Sequence, residues 1–181
     1  MAIKPTEMKE IVKIPEGIEV TFDQNMVRVK GAKGTVSRIL SHPRVQMKLH
    51  ENIVEISCAD SPHRKEKALI GTFTAHIRNM INGVTTGYQY TMKTVYSHFP
   101  IKTTVEGNVV VIQNFLGERS PRKAQILEGV KVEIQGDKVL ISGIDIENIG
   151  QTAANIEKAT KVRKRDVRVF QDGIYITSRG G

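Results

Sequence analysis

The sequence predicts an α+β protein of two tandem, duplicated domains, each a mostly antiparallel β-sheet packed on one α-helix. Apolar and polar residues alternate along much of the 181-residue chain, which is typical of strands that turn one face to a core. Two segments instead place their apolar residues at the spacing of one helix face. The order of these elements in the first half recurs in the second half, which indicates a duplication.

The first half begins with a predicted β-hairpin. Residues 18–22 (IEVTF) and 27–30 (VRVK) both alternate, and the polar residues 23–25 between them are typical of a turn. The same alternation predicts further strands at residues 35–40, 45–49 and 53–57. These strands are expected to form the sheet of the first domain.

A helix follows these strands. From Pro62 onward the apolar spacing becomes that of one helical face; Pro62 can begin this helix and Gly83 can end it. Residues 88–96 are again β-rich. We therefore expect the domain boundary near residues 96–100, which divides the chain into domains of residues 1–96 and 97–181.

The second half repeats this order. A strand is predicted at residues 108–113, after a Gly-Asn turn. Residues 130–134 and 139–142 flank the pair Gly136-Asp137, which favours a hairpin. A helix is predicted over residues 145–158, with Asp145 as its N-cap.

Three pairs of segments align between the halves in the same order. Their offsets are 83, 85 and 79 residues, so short insertions or deletions separate the copies. Apolar alternation alone would produce some of these matches, but it does not explain a shared order of all three. The aligned pairs are residues 25–34 with 108–117, 47–57 with 132–142, and 70–77 with 149–156.

Composition restricts the class of protein. Apolar runs are too short to span a membrane, and the first ten residues lack the apolar core of a secretory signal. The single cysteine, Cys58, excludes an intramolecular disulfide and a multi-cysteine zinc site, so a reducing cytoplasmic location is the simplest interpretation. The net charge of +8 and the pI of about 9.6 indicate a polyanionic partner.

The positive charge is concentrated near the end of the chain. Residues 158–168 (KATKVRKRDVR) carry six cationic side chains against one carboxylate. Cations at a helix C-terminus are favourable for local reasons alone, which leaves a solvated run as the alternative. Crowded cations repel one another, however, and a polyanion would relieve that repulsion. The cationic residues are Lys158, Lys161, Arg163, Lys164, Arg165 and Arg168.

A second basic segment precedes it. Residues 116–123 (LGERSPRK) contain Gly and Pro and are predicted to be a loop that presents Arg119, Arg122 and Lys123. Nucleic acid is favoured over a membrane as the polyanion, because no lipidation motif and no basic helix with large apolar residues opposite its cations is present. The RNA-binding string of an RRM domain is absent too, which favours recognition of RNA shape and phosphates.

Other candidate sites have simpler interpretations. The five histidines form no H-x-x-x-H pair and none lies close to Cys58, so no metal site is expected. Cys58 follows a strand and is expected to be an inert, buried thiol. Residues 31–34 (GAKG) match a G-x-x-G pattern but join two strands, so a connecting turn is favoured, although Lys33 could still touch phosphate.

Three longer segments carry a family resemblance. Residues 160–178 (TKVRKRDVRVFQDGIYITS), 114–119 (NFLGER) and 143–160 (GIDIENIGQTAANIEKAT) closely resemble the family of the sixth protein of the large ribosomal subunit. The archaeal or eukaryotic form is indicated, because the bacterial form has a PEPYKGKGIR-like string at the first of these segments. The resemblance covers essentially the whole chain, including the duplication.

This resemblance implies two duplicated α+β domains without enzymatic activity or a cofactor. It implies binding to large-subunit rRNA near the sarcin–ricin loop and the base of the factor-binding stalk, beside neighbouring ribosomal proteins. The second domain would be the main rRNA anchor and the protein would work on cytoplasmic ribosomes. Carried onto this sequence, the rRNA-binding role falls on Lys158, Lys161, Arg163, Lys164, Arg165, Arg168, Arg119, Arg122 and Lys123.

Two other functions remain open from the residues. A free RNA-binding regulatory or assembly factor of the same fold would carry the same basic surface. A small hydrolase is the alternative from a different class, but no nucleophile–base spacing and no G-x-S-x-G motif supports it. A small-molecule substrate is therefore not expected.

Overall fold

The computed structural model describes residues 8–23, 25–58 and 63–180. They form an α+β structure of antiparallel strands and two α-helices, as the sequence predicts. The chain divides into two compact units, residues 1–86 and 87–181. The predicted fold class is confirmed, with two small sheets in each unit.

The first unit packs two three-stranded antiparallel sheets against one helix. The first sheet has the order β2-β3-β4 and the second the order β1-β6-β5. The predicted hairpin is confirmed as β2 and β3, and Pro62 lies outside the described residues. The elements are β1 (Met8–Lys13), β2 (Glu19–Asp23), β3 (Met26–Gly31), β4 (Gly34–Ile39), β5 (Val45–His50), β6 (Ile53–Cys58) and α1 (Arg64–Thr85).

Helix α1 supplies one side of the first core. Ile70 and Ile77 lie on its buried face and pack with Val27 and Val29 of the central strand β3. Gly83 lies inside the helix and is buried, so the prediction that it follows the helix was wrong. The helix continues to Thr85, and the backbone N–H of Thr86 donates to the Asn82 carbonyl at 2.9 Å.

The second unit has a three-stranded and a four-stranded antiparallel sheet on its helix. Their orders are β8-β9-β10 and β11-β12-β7-β13. The Oδ1 atom of Asp145 accepts from the Glu147 backbone N–H at 2.9 Å, which confirms the predicted N-cap of α2. The elements are β7 (Tyr88–Val95), β8 (Lys102–Glu106), β9 (Val109–Gln113), β10 (Arg122–Gln125), β11 (Val130–Gln135), β12 (Lys138–Gly143), α2 (Ile146–Ala159) and β13 (Gly173–Gly180).

The units divide at residues 86 and 87, about ten residues before the start of the predicted boundary region, 96–100. The cause is strand β7, which the sequence analysis assigned to the first domain. β7 lies between β12 and β13 and pairs with both, so it belongs to the second unit. Its position beside β12 matches that of β1 beside β6 in the first unit.

The duplication is visible in the architecture. Strands β3 and β9, which the first alignment pairs, are each the central strand of a three-stranded sheet. Hairpin β5–β6 matches hairpin β11–β12. Helix residues Ile70 and Ile149 are both fully buried, as their alignment predicts. β13 and the segment 160–172 before it follow α2, whereas no strand of the first unit follows α1, so they are an addition to the second unit.

Candidate nucleic-acid interface

The basic segment 158–168 lies on the surface of the second unit. Lys158 is in the last turn of α2, and the chain then runs without regular structure to β13. All six predicted cations of this segment are exposed. Arg168 pairs with Asp166 at 3.2 Å, while Lys158, Lys161, Arg163 and Lys164 have no ion-pair partner in the described part of the chain.

Asp166 folds the segment into a compact turn. Its Oδ1 atom accepts from the backbone N–H of Arg168 at 2.9 Å, and its carbonyl accepts from the N–H of Phe170 at 2.9 Å. The backbone hydrogen bond from Arg168, followed by the side-chain bonds, holds the pKa of Asp166 below its usual value. The carboxylate therefore organises the turn and leaves most of the positive charge unneutralised.

Thr160 and Glu157 attach the end of α2 to the edge of the sheet. The Thr160 hydroxyl accepts from the Ile174 N–H at 3.1 Å, and Glu157 Oε1 accepts from the Ile176 N–H at 3.2 Å. Both donors belong to β13, the edge strand, so these contacts satisfy backbone groups that an edge would otherwise expose. They also fix where the basic segment begins.

Arg122 links the two predicted basic segments. Its guanidinium donates to both carboxylate oxygens of Glu118, at 2.8 and 2.6 Å, and to the carbonyls of Ala159 and Lys161, at 2.8 and 3.1 Å. The same group lies 4.2 Å from the ring centroid of Phe115. Arg122 is therefore mostly occupied by contacts inside the unit, and its contact with an rRNA phosphate stays a prediction.

The second basic segment is only partly a loop. Residues 115–117 form a short 3₁₀ turn, and Arg122 and Lys123 lie on strand β10, which pairs with β9. The prediction of a continuous loop over 116–123 was wrong, because pairing with a neighbouring strand overrides the local effect of Pro121. Arg119 and Lys123 are exposed, so both can reach an anionic partner.

Phe170 joins the basic segment to the end of β7. The Arg165 guanidinium lies 4.8 Å from its ring centroid, and the His98 ring stacks on it at 4.6 Å. Both groups are in direct contact with the Phe170 ring. Phe170 thereby holds Arg165 in a defined position.

A buried carboxylate supports this stack. Asp172 is fully buried and accepts hydrogen bonds from the Ser97 hydroxyl at 3.1 Å and from His98 Nδ1 at 3.2 Å. Burial raises the pKa of Asp172, but the hydrogen bonds from His98 and Ser97 together lower it below its usual value. Sequence reasoning missed His98 and Asp172, because their partners are more than seventy residues away in the chain.

A groove of about 720 Å³ lies between the end of α2, the basic segment and β13. Its walls combine apolar and aromatic side chains with three of the predicted cations. Nothing in the local sequence pattern marks Tyr175 or Phe170 as a groove residue, so neither was predictable from the sequence. The lining includes Lys158, Lys161, Arg163, Val162, Val167, Phe170 and Tyr175.

The Gly31–Gly34 turn has a structural role in the first unit. It connects β3 to β4, as predicted. The Lys33 N–H donates to the Val84 carbonyl at 3.1 Å, and the Lys33 ammonium donates to the Thr86 carbonyl. A cation at a helix C-terminus is favourable, so Lys33 stabilises the end of α1.

The remaining candidates carry no chemistry of their own. Cys58 is a fully buried thiol in the first core, as expected. Within residues 8–23, 25–58 and 63–180, no group of three or more His, Cys, Asp or Glu side chains could hold a metal ion. In the same residues neither helix has the length and apolarity needed to cross a membrane.

Comparison with known proteins identifies the family. The sequence model described as Ribosomal protein L6 matches the chain twice, over residues 14–87 and 99–173. The chain belongs to the ribosomal protein L6 family. The two matches fall one in each half and agree with the duplication. Members are structural parts of the ribosome, which confirms the predictions of a non-enzymatic, ribosome-bound cytoplasmic protein.

Two archaeal relatives are similar along almost their entire length. Both are called "Large ribosomal subunit protein uL6". The protein of Methanobrevibacter smithii is 51% identical over 95% of this chain and 96% of its own length. The protein of Methanosarcina mazei is 44% identical over 96% of this chain and 98% of its own. The archaeal form of the L6 family that the sequence indicates is thus supported.

Proposed function

We propose that the chain is a structural constituent of the large ribosomal subunit and binds large-subunit rRNA through the basic surface of its second unit. The observation that carries this proposal is the group of four exposed cations without an ion-pair partner in the described chain, Lys158, Lys161, Arg163 and Lys164. Their uncompensated charge favours a polyanion, and binding releases the counterions condensed on it.

Contacts within the second unit hold the residues of this basic surface in place, which supports the same proposal. Arg122 hydrogen-bonds the backbone at Ala159 and Lys161, and Phe170 holds Arg165, so the cations project from an ordered base. A site whose cations are positioned before binding loses less conformational entropy when the ligand arrives. Arg119 and Lys123 are proposed to extend the surface, whereas Arg122 is proposed to act through the position of its neighbours.

The location within the subunit is proposed from the family resemblance. The resemblance suggests a location near the sarcin–ricin loop and the base of the factor-binding stalk, in contact with neighbouring large-subunit proteins. A crosslinking map of the protein on purified ribosomes tests this location. Crosslinks confined to rRNA far from the sarcin–ricin loop would contradict it.

Salt titration of RNA binding tests the surface. The full chain is titrated with an in vitro transcript of large-subunit rRNA, and log K is plotted against log salt. Replacing Lys161 and Arg163 together by Gln should flatten the slope by about 1.4–1.8, because each phosphate contact contributes ~0.7–0.9. The fold should survive, since both side chains are exposed.

A matched pair provides the control. Lys102 and Lys138 are exposed lysines of the same unit on other strands, and replacing both by Gln should leave the slope unchanged. An equal change for both pairs would indicate a general charge effect and contradict the proposed surface. Cosedimentation of the native protein with the large subunit at high salt separates a ribosomal constituent from a free RNA-binding factor.

A further inference from the structure

Tyr175 is an exposed aromatic side chain held in one orientation at the edge of the second sheet. It is 44% exposed. Its hydroxyl donates to the Gln171 carbonyl at 3.1 Å. Its ring lies over Gly173, where a Cβ atom would come within 2.9 Å of the ring carbon Cζ. A side chain at position 173 would force the ring to shift, so glycine permits this contact. The rest of the ring stays exposed.

The surroundings of this ring carry a net positive charge, with Glu157 as the one acidic side chain among the groove residues of the described chain. Tyr175 shares the groove with Lys158, Lys161 and Arg163. Lys93 lies directly opposite Tyr175 on the neighbouring strand β7 and is exposed. An occupant of the groove therefore meets an aromatic ring and several positive charges together. This combination is complementary to a ligand that has an aromatic group and an anionic group side by side.

We propose that the Tyr175 ring stacks on an unpaired nucleobase of the rRNA, while the cations of the groove bind the phosphates beside that base. This inference rests on the proposed function and deepens it: the site would recognise an extrahelical nucleotide in addition to backbone shape. Base stacking on an aromatic side chain tolerates any sequence, because every base offers a π-face. The groove volume of about 720 Å³ lies within the ~300–1,000 Å³ of small-ligand sites.

Tyr175 suits this role better than Phe170. The Phe170 ring is only partly exposed and already contacts Arg165 and His98, so it offers a base less free surface than Tyr175 does. The Tyr175 ring is already fixed by Gln171 and Gly173, which lowers the entropy lost when a base stacks on it. A protein segment as the occupant would need acidic side chains to match the cations and would gain nothing from the planar ring beyond apolar contact.

The test measures affinity of the full chain for large-subunit rRNA transcribed from the Methanobrevibacter smithii sequence. Tyr175→Phe keeps the ring and should bind within about twofold of the original protein. Tyr175→Leu should bind about 5- to 150-fold more weakly, the range expected for one lost base stack. Its salt slope should stay unchanged because no charge is lost. Crosslinking at 254 nm should attach a nucleotide to Tyr175.

Tyr96→Leu is the matched control, because Tyr96 is similarly exposed, at 43%, and does not line the groove. It should bind as the original protein does. Circular dichroism confirms that each variant is folded. Undiminished binding by a folded Tyr175→Leu variant would overturn the stacking inference, and so would an equal loss in Tyr96→Leu. A chain that binds the transcript without any salt dependence would instead overturn the proposed function.

Discussion

Arg122 shows how one side chain can be basic in sequence and structural in the fold. Its guanidinium reaches Glu118, Ala159 and Lys161 together, from a half-buried position. The hydrogen bond from Arg122 is the main cause of the lowered pKa of Glu118, and the charge of Arg165 adds to it. The planar, forked geometry of arginine is what allows these contacts at once.

Replacing Arg122 by Lys should therefore destabilise the protein although the charge is kept. The ammonium group cannot form the two parallel bonds to Glu118 and also reach both carbonyls. We expect a loss of about 1.5–3 kcal/mol in the free energy of unfolding, measured by denaturant titration. Lys123→Arg, an exposed change on the same strand, is the control and should be neutral. Equal stability of Arg122→Lys and the original protein would show that the hydrogen bonds of the Arg122 guanidinium contribute nothing to the free energy of unfolding.

Asp172 should make stability depend on pH in the acidic range. Its folded pKa is lowered, so the carboxylate stabilises the protein fully above its unfolded pKa of about 3.9, and this contribution disappears as the pH falls through the folded pKa. Asp172→Asn should cost about 1–3 kcal/mol at pH 7, because the amide cannot accept every bond from Ser97 and His98.

The measurement is chemical unfolding of Asp172→Asn and the original protein at pH 7 and at pH 3. The difference between them should shrink at the lower pH, where protonation weakens the original carboxylate as well. Asp137→Asn provides an exposed comparison that should change little at either pH. A difference that stays constant between the two pH values would contradict the assigned role of the Asp172 charge.

Among the secondary-structure elements, the Gly31–Gly34 turn packs closely against the end of α1. A Cβ atom on Gly31 would lie 2.7 Å from a methyl carbon of Val84, so glycine permits the close approach of strand and helix. Lys33 then bonds the exposed carbonyl of Thr86. The turn and the helix end thus stabilise each other.

Lys33→Ala should lower stability by about 0.3–1 kcal/mol, the usual contribution of a cation at a helix C-terminus, and leave RNA affinity within about twofold. Lys30→Ala, a neighbouring exposed lysine on β3, is the control for removal of one positive charge. Thermal unfolding and rRNA binding are the two measurements. A loss of affinity as large as that caused by Arg163→Gln would show that the turn touches phosphate.

At the scale of the whole molecule, β7 decides where the second unit begins. It supplies the strand between β12 and β13 and contributes Met92, which is fully buried, to the second core. The basic segment leads directly into β13, so β7 also supports the edge on which the proposed rRNA surface is built.

A fragment of residues 87–181 should therefore unfold cooperatively, whereas a fragment of residues 97–181 should not. The shorter fragment loses β7 and leaves β12 and β13 without their shared partner. Thermal melts followed by circular dichroism compare the two fragments. Cooperative unfolding of both would show that β7 is dispensable, and failure of both would show that the second unit needs the first.

Features that depend on local pattern were predictable from the residues alone. Alternation located both hairpins, the helix spacing located α1 and α2, and the aligned segments revealed the duplication. The cluster of cations in residues 158–168 was also visible, because charge is a property of composition. These features rest on interactions between residues close in sequence, whose preferences do not require knowledge of distant partners.

Strand neighbours and side-chain contacts, in contrast, became known only from the folded protein. β7 joins the second unit because its partners lie far along the chain, on β12 and β13. Arg122 is held inside the unit by carbonyls more than thirty residues away. Tyr175 becomes an exposed ring in a cationic groove only after β13 pairs at the sheet edge. Pairing and packing across such separations are set by the global arrangement of the core, so residue pattern alone does not encode them.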